Sequence, residues 1–242
     1  MELSLFKYMI PRMKKLLVFL PLLLTQQAFA ARPFVTDDAR LTTAGSCQLE
    51  AWTRVYQHSH ELWALPACNP WGNFELTFGG SSAKADGQRA SLDSALQAKT
   101  LFRALKTNDW GIGVAFGKIS HDGLSPGPNQ YGNTYGYVPI SWSLWDDDII
   151  LHANFGILHD KQSKQNNMTW GLGSEIRVKP NLLGIAEIYG DNRNNPYLQV
   201  GFRYSVIPNL FQIDSTYGQQ INGDSELKWI SFGLRYTPEK LF

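Results

Sequence analysis

The chain has 242 residues, and its 22 Lys and Arg nearly cancel its 21 Asp and Glu. With a net charge of +1 and no basic tract, it lacks the electrostatic footprint of a nucleic-acid binder. The length suits one domain, and beyond Leu24 polar side chains interrupt every apolar run well short of the roughly 20 residues a spanning helix needs.

The amino end reads as a secretory leader. Met13-Lys14-Lys15 supplies a short basic region, Leu16 to Leu24 an apolar run, and Ala28-Phe29-Ala30 small residues at the two positions a signal peptidase inspects. Translation is expected to begin at Met13 and cleavage to follow Ala30, so that residues 1–30 form the leader. Residues 31–44 are then expected to be a periplasmic segment placed so that it can fold into the lumen of the barrel formed by 45–242.

Cys47 and Cys68 are the only cysteines, and in an exported chain such a pair favours a disulfide over two unrelated thiols. A hairpin turning at Ser59 pairs residues whose numbers sum to about 115, which makes the two cysteines cross-strand partners within disulfide reach. That hairpin joins Cys47–Tyr56 to Glu61–Cys68, and Asn69-Pro70-Trp71-Gly72 then turns the chain. Further strands are expected over Asn73–Ser82, Ala90–Leu105, Trp110–Lys118, Thr134–Leu144, Ile149–Leu158, Asn167–Val178, Leu182–Tyr189, Pro196–Ser205, Leu210–Tyr217 and Lys228–Tyr236. The last is the clearest: Ile230, Phe232, Leu234 and Tyr236 alternate with Trp229, Ser231, Gly233 and Arg235.

This gives about twelve strands, an even number. Connections after even strands are tight and rich in Asn, Asp and Pro, whereas those after odd strands, such as His121 to Asn133, are mostly longer and more polar. The pattern predicts an all-β transmembrane antiparallel up-and-down barrel in a Gram-negative outer membrane, with both termini periplasmic. A soluble sandwich shows the same alternation but has no reason to sort its loops by end. Trp63, Trp71, Trp110, Trp142, Trp145, Tyr189, Tyr204, Tyr217 and Tyr236 lie near strand ends, where interfacial girdles belong. The aromatic Phe242 resembles the carboxyl-terminal signal read by barrel assembly machinery.

The same alternation lists the lumen: Glu50, Arg54, Glu75, Asp93, Lys99, Arg103, His152, Glu175, Arg177, Glu187, Arg203, Asp214 and Arg235. These charges of both signs read either as networks filling a narrow barrel or as a polar pathway tuned by charged rings.

Arg32-Pro33-Phe34-Val35-Thr36-Asp37-Asp38-Ala39, with Gly45, Gln48-Leu49-Glu50 and Leu65-Pro66-Ala67-Cys68-Asn69-Pro70, resembles a family of bacterial outer-membrane barrels labelled transporter-like or MetA-pathway of phenol degradation. The resemblance covers the first hairpin and the Gly-Leu-Arg-Tyr-Thr-Pro ending, and it implies an outer-membrane channel whose substrates are mostly unassigned; the function expected here is passive passage of a small solute through a narrow polar lumen. The partners expected on this reading are outer-membrane lipid and lipopolysaccharide, the assembly machinery and an unidentified small solute, with no nucleic acid and no cofactor. The competing readings are a lipid-modifying barrel enzyme and a closed structural or adhesive barrel. For the enzyme, His58-Ser59-His60-Glu61 crowds hydrolase residue types into one loop, and His152 points inward with Asn154 as its same-face neighbour, but neither matches a known lipase or deacylase motif. His58 and His60 give two imidazoles where a metal site needs more, and Asp146-Asp147-Asp148 reads as a polar turn.

Overall fold

The computed structural model describes residues 34–121, 133–161, 163–223 and 227–242. The expected leader lies outside these residues, as does most of the loop between His121 and Asn133. Twelve strands form: β1 Ser46–Val55, β2 Ser59–Asn69, β3 Glu75–Ala85, β4 Ser91–Arg103, β5 Trp110–His121, β6 Asn133–Leu144, β7 Ile149–Asp160, β8 Gln165–Lys179, β9 Leu182–Asp191, β10 Tyr197–Ile207, β11 Phe211–Gln220 and β12 Trp229–Tyr236. Each pairs antiparallel with its sequence neighbours, and β1 pairs with β12, so the sheet closes on itself without an edge.

In the first hairpin Cys47 faces Cys68, and the two form a disulfide. The tight turns gather at one end of the barrel together with Gly45 and the carboxyl-terminal tail, which we call the turn end; the opposite end is the loop end. At the turn end, Trp145, Asp146 and Asp147 all take positive φ, at 53°, 56° and 66°. The acidic run is held by its neighbours: Asn108 Nδ2 donates to Asp146 at 2.6 Å, Thr107 donates to Asp147 at 2.7 Å, and Arg177 lies 3.4 Å from Asp148.

The distribution of side chains is inverted relative to a soluble domain. Outward positions carry exposed Leu62, Phe78, Leu96, Phe116, Phe155, Leu172, Phe202 and Phe232, spread around the barrel. Inward positions bury Glu50, Arg54, Glu75, Lys99, His152, Glu175, Glu187 and Arg203. Strand alternation produces both sets, because successive side chains point to opposite faces. No helix among the described residues is long and apolar enough to cross a membrane, which says nothing of crossing by strands.

Aromatic residues fill part of the interior toward the loop end. Trp52, Leu65, Tyr135, Tyr137 and Leu158 pack as one cluster, and Val35, Tyr189, Tyr197 and Trp229 as a second. Two expected girdle residues therefore belong inside: Tyr189 stacks on Tyr197 with ring centroids 5.6 Å apart, and Trp63 stacks on Trp52 at the same separation. Both occupy inward parity on their strands, which nearness to a strand end does not reveal. Trp71, Trp110, Trp142, Trp145, Tyr204, Tyr217 and Tyr236 are exposed.

Candidate functional site

The middle of the lumen is occupied by the chain's own residues 34–45. The segment turns in at Gly45, whose positive φ of 72° suits glycine, and climbs to Val35 and Thr36 beside Glu187 on β9. It forms no regular ladder, so its buried amides need acceptors from elsewhere. The walls and its own aspartates supply them. Glu187 accepts from Val35 N at 2.9 Å and from Thr36 N at 2.8 Å. Asn154, with its amide oriented to satisfy both groups, accepts from Asp37 N at 2.6 Å and donates to Asp37 O at 2.9 Å. Asp38 N donates to Asp37 Oδ1, Ala39 N to Ser141 Oγ, Arg40 N to Asp38 Oδ1, and Thr42 N to Glu75 Oε2 at 2.6 Å.

Charge pairing adds to these bonds. Lys99 Nζ lies 2.9 Å and 2.8 Å from the two oxygens of Asp37, and the Tyr137 hydroxyl lies 2.7 Å from Asp37 Oδ2. Lys99 and Asp37 side chains are each only 3% exposed. Breaking such a pair by removing one partner strands a buried charge, a loss of about 3–5 kcal/mol. Arg40 reaches Glu175 at 3.4 Å, and Glu175 also binds Arg203 at 2.9 Å. The barrel wall leaves room as well: a Cβ on Gly171 would stand 2.4 Å from Thr36 Oγ1, and one on Gly173 would stand 3.2 Å from the Phe34 ring. Side chains at these two β8 positions would collide with the segment.

Most of the residues assigned to the lumen surround this segment or line the cavities beside it. Glu50, Arg54, Glu75, Lys99, His152, Glu175, Glu187, Arg203 and Asp214 are buried, while Asp93 and Arg235 are half-buried. Arg235 donates to Gln48 at 2.7 Å and lies 3.6 Å from Glu50, and Arg54 stacks over Trp229 at 5.0 Å.

Two lumen assignments are corrected. Arg103 is exposed, bonded to Asp109 at 2.6 Å and stacked on Trp110 at 4.4 Å. The register shift between Leu101 and Arg103 changes the parity, so that Leu101 is buried and Arg103 is not. Arg177 sits at the turn-end rim, 3.4 Å from Asp148, next to another register shift. Phe242 lies beyond the last strand: β12 ends at Tyr236, Pro238 follows, and the tail folds back so that Leu241 N and Phe242 N donate to Gly45 O.

Ser141, His152 and Glu175 line up in a way that invites a catalytic reading. Ser141 Oγ is 2.8 Å from His152 Nδ1, but His152 Nε2 is 3.8 Å from Glu175, beyond hydrogen-bond reach. Ser141 also accepts from Ala39, both Ser141 and His152 are fully buried, and the Phe34 ring covers the imidazole at 5.5 Å. The trio is therefore part of the segment's seat. His58, in the first loop, is exposed and pairs with Asp86 at 3.5 Å. Among the described residues no group of three or more His, Cys, Asp or Glu is placed to hold a metal ion.

On either side of the segment lies a small cavity. One of about 60 Å³ lies toward the loop end, between Val35, Tyr137, Trp170, Tyr189, Asn194 and Tyr197. The other, of about 30 Å³, lies between Asp38, Leu41, Glu50, Glu75, Lys99 and Arg235.

Known structures share this architecture. The KdgM porin superposes with a TM-score of 0.62 at 12% identity, covering 79% of this chain and 99% of that one. The NanC porin gives 0.56 at 11% identity, covering 79% and 98%. The outer membrane protein Omp33 of Acinetobacter baumannii gives 0.51 at 7% identity, covering 80% and 98%. At such identities the likeness is one of fold. No curated protein matches the sequence. A family model described as "Uncharacterised conserved protein UCP029691" matches residues 19–236, so the matching family carries its own description and not that of the MetA-pathway family.

Proposed function

We propose that this chain, which belongs to the UCP029691 family, is an outer-membrane channel that passes small solutes passively along the barrel axis, with its 34–45 segment as a resident closure. The observation that carries the reading is the inverted side-chain distribution. Exposed Leu, Phe and Ile surround the outer wall, while Lys99, Glu175, Glu187 and Arg203 are buried inside. Water rewards neither arrangement, whereas lipid outside and a polar lumen inside reward both. On this reading lipid and lipopolysaccharide contact the outer belt, the assembly machinery inserts the barrel, and the turn end faces the periplasm. The likeness to KdgM and NanC, both described as porins, supports passage along the same axis.

A second reading has its own support. Among the described residues, the cavities beside the segment include ones of about 60 Å³ and 30 Å³, a size that a permanently closed structural barrel would also show. Single-channel recording in planar bilayers separates the two. The wild type is expected to show rare openings, and Gly171→Leu, whose side chain takes the place of Thr36, frequent ones. Every 1.4 kcal/mol or so lost from the segment's seating raises the open population about ten-fold. A Gly171→Leu protein that inserts, shows heat-modifiable mobility and stays silent would favour the closed barrel.

A further inference from the structure

We infer that Asp37 occupies a carboxylate seat in the middle of the lumen, and that a small monocarboxylate solute competes with the segment for that seat. The inference rests on the channel reading for its biological meaning, but its geometry stands alone. Lys99 Nζ contacts both Asp37 oxygens, at 2.9 Å and 2.8 Å, and the Tyr137 hydroxyl contacts one at 2.7 Å. The ammonium and the phenol belong to β4 and β6, the strands on either side of β5, whereas the carboxylate arrives on a non-strand segment.

A buried ammonium costs several kcal/mol unless an anion sits opposite it. The two carboxylates within 4 Å of Lys99, those of Asp37 at 2.8 Å and Asp38 at 3.7 Å, both come from the segment. When the segment withdraws, it takes both away and frees Glu75, the cross-strand partner of Lys99 on β3, from Thr42 N. A mobile anion that enters then competes with Glu75 for the ammonium, and one ammonium with one hydroxyl donor matches a single carboxylate group. The next cation along the wall, Arg203, is already held by Glu175 at 2.9 Å, so a second anionic group has no equal partner there. A bound solute would hold the segment out, and the segment would return as the solute leaves. Opening is thereby coupled to solute concentration through the solute's preference for the open state.

The test is isothermal titration of the full chain in detergent micelles with gluconate, using sorbitol as the uncharged counterpart. Asp37→Ala removes the carboxylate that touches both Lys99 and Tyr137, leaving Asp38 at 3.7 Å from Lys99 and leaving Glu187, Asn154 and Ser141 to hold the segment's backbone. It is expected to bind gluconate at least about ten-fold more tightly than the wild type, whose tethered carboxylate competes. The double variant Asp37→Ala/Lys99→Met, which leaves no unpaired charge at the seat, is expected to bind none, and sorbitol to bind neither variant. Heat-modifiable mobility checks that each protein is folded. Gluconate affinity in Asp37→Ala no greater than in the wild type, or affinity that survives the loss of Lys99, would overturn the seat. The expected binding pattern in a protein that never conducts would overturn passage and leave the seat standing.

Discussion

At Asp147 the tight turn between β6 and β7 concentrates negative charge, and local hydroxyls make that tolerable. The Ser143 hydroxyl, joined by that of Thr107, holds the Asp147 carboxyl below its ordinary value of 3.8. Arg103 and the Trp110 amide do the same for Asp109 in the preceding turn. A carboxylate whose folded pKa is depressed stabilises the fold at pH values above its unfolded pKa, and that contribution is lost as pH falls through the folded value. Thermal midpoints measured between about pH 5 and pH 2 should therefore fall less steeply in Asp147→Asn than in the wild type. Identical slopes would show that the turn adds nothing to acid stability. The Asp run was legible as a polar turn, because three adjacent carboxylates lacked the spacing of a calcium loop. Arg103 was misread for a local reason: one extra residue at a bulge reverses parity.

The strands were readable because a closed barrel imposes one rule on every element, polar inward and apolar outward. Register in the first hairpin followed from its turn, and Cys47 faces Cys68 as the numbering required. The 34–45 segment obeys no such rule. It has no period, and its partners Glu187, Asn154 and Ser141 are far away in sequence, so its seat could be anticipated only from its position next to the barrel entrance. Gly171 and Gly173 sit at inward positions of β8 and face Thr36 and Phe34, and strand alternation does not say what approaches them. The segment's charge pairing predicts its release. In Lys99→Met, the buried Asp37 carboxylate loses its counter-ion, a loss of about 3–5 kcal/mol that withdrawal of the segment relieves. Arg40, which pairs with Asp38 and Glu175 in the seat, then becomes accessible. Trypsin should cut after Arg40 at least about ten-fold faster in Lys99→Met than in the wild type, as followed by mass spectrometry of the intact chain. Equal cutting rates would mean that Lys99 does not hold the segment.

For the whole molecule, twelve strands give a barrel wide enough to admit the 34–45 stretch of its own chain. That size was legible from the strand count, but the state of the lumen was not, since the same inward charges suit an open pathway or a packed network. The structure shows a packed network built around the 34–45 segment, which we propose is its removable part. A cross-link across that seat tests the account most directly. An ideal Cβ at Gly173 lies 3.6 Å from Thr36 Cβ, within the range that a disulfide spans. In a Thr36→Cys/Gly173→Cys protein recorded in planar bilayers, oxidation should hold the channel shut and reductant should restore openings. The parent protein with only Cys47 and Cys68 should not respond in the same way. Openings of unchanged size and frequency in the oxidised, demonstrably cross-linked protein would contradict the account, because current would then be passing a barrel whose supposed closure cannot move.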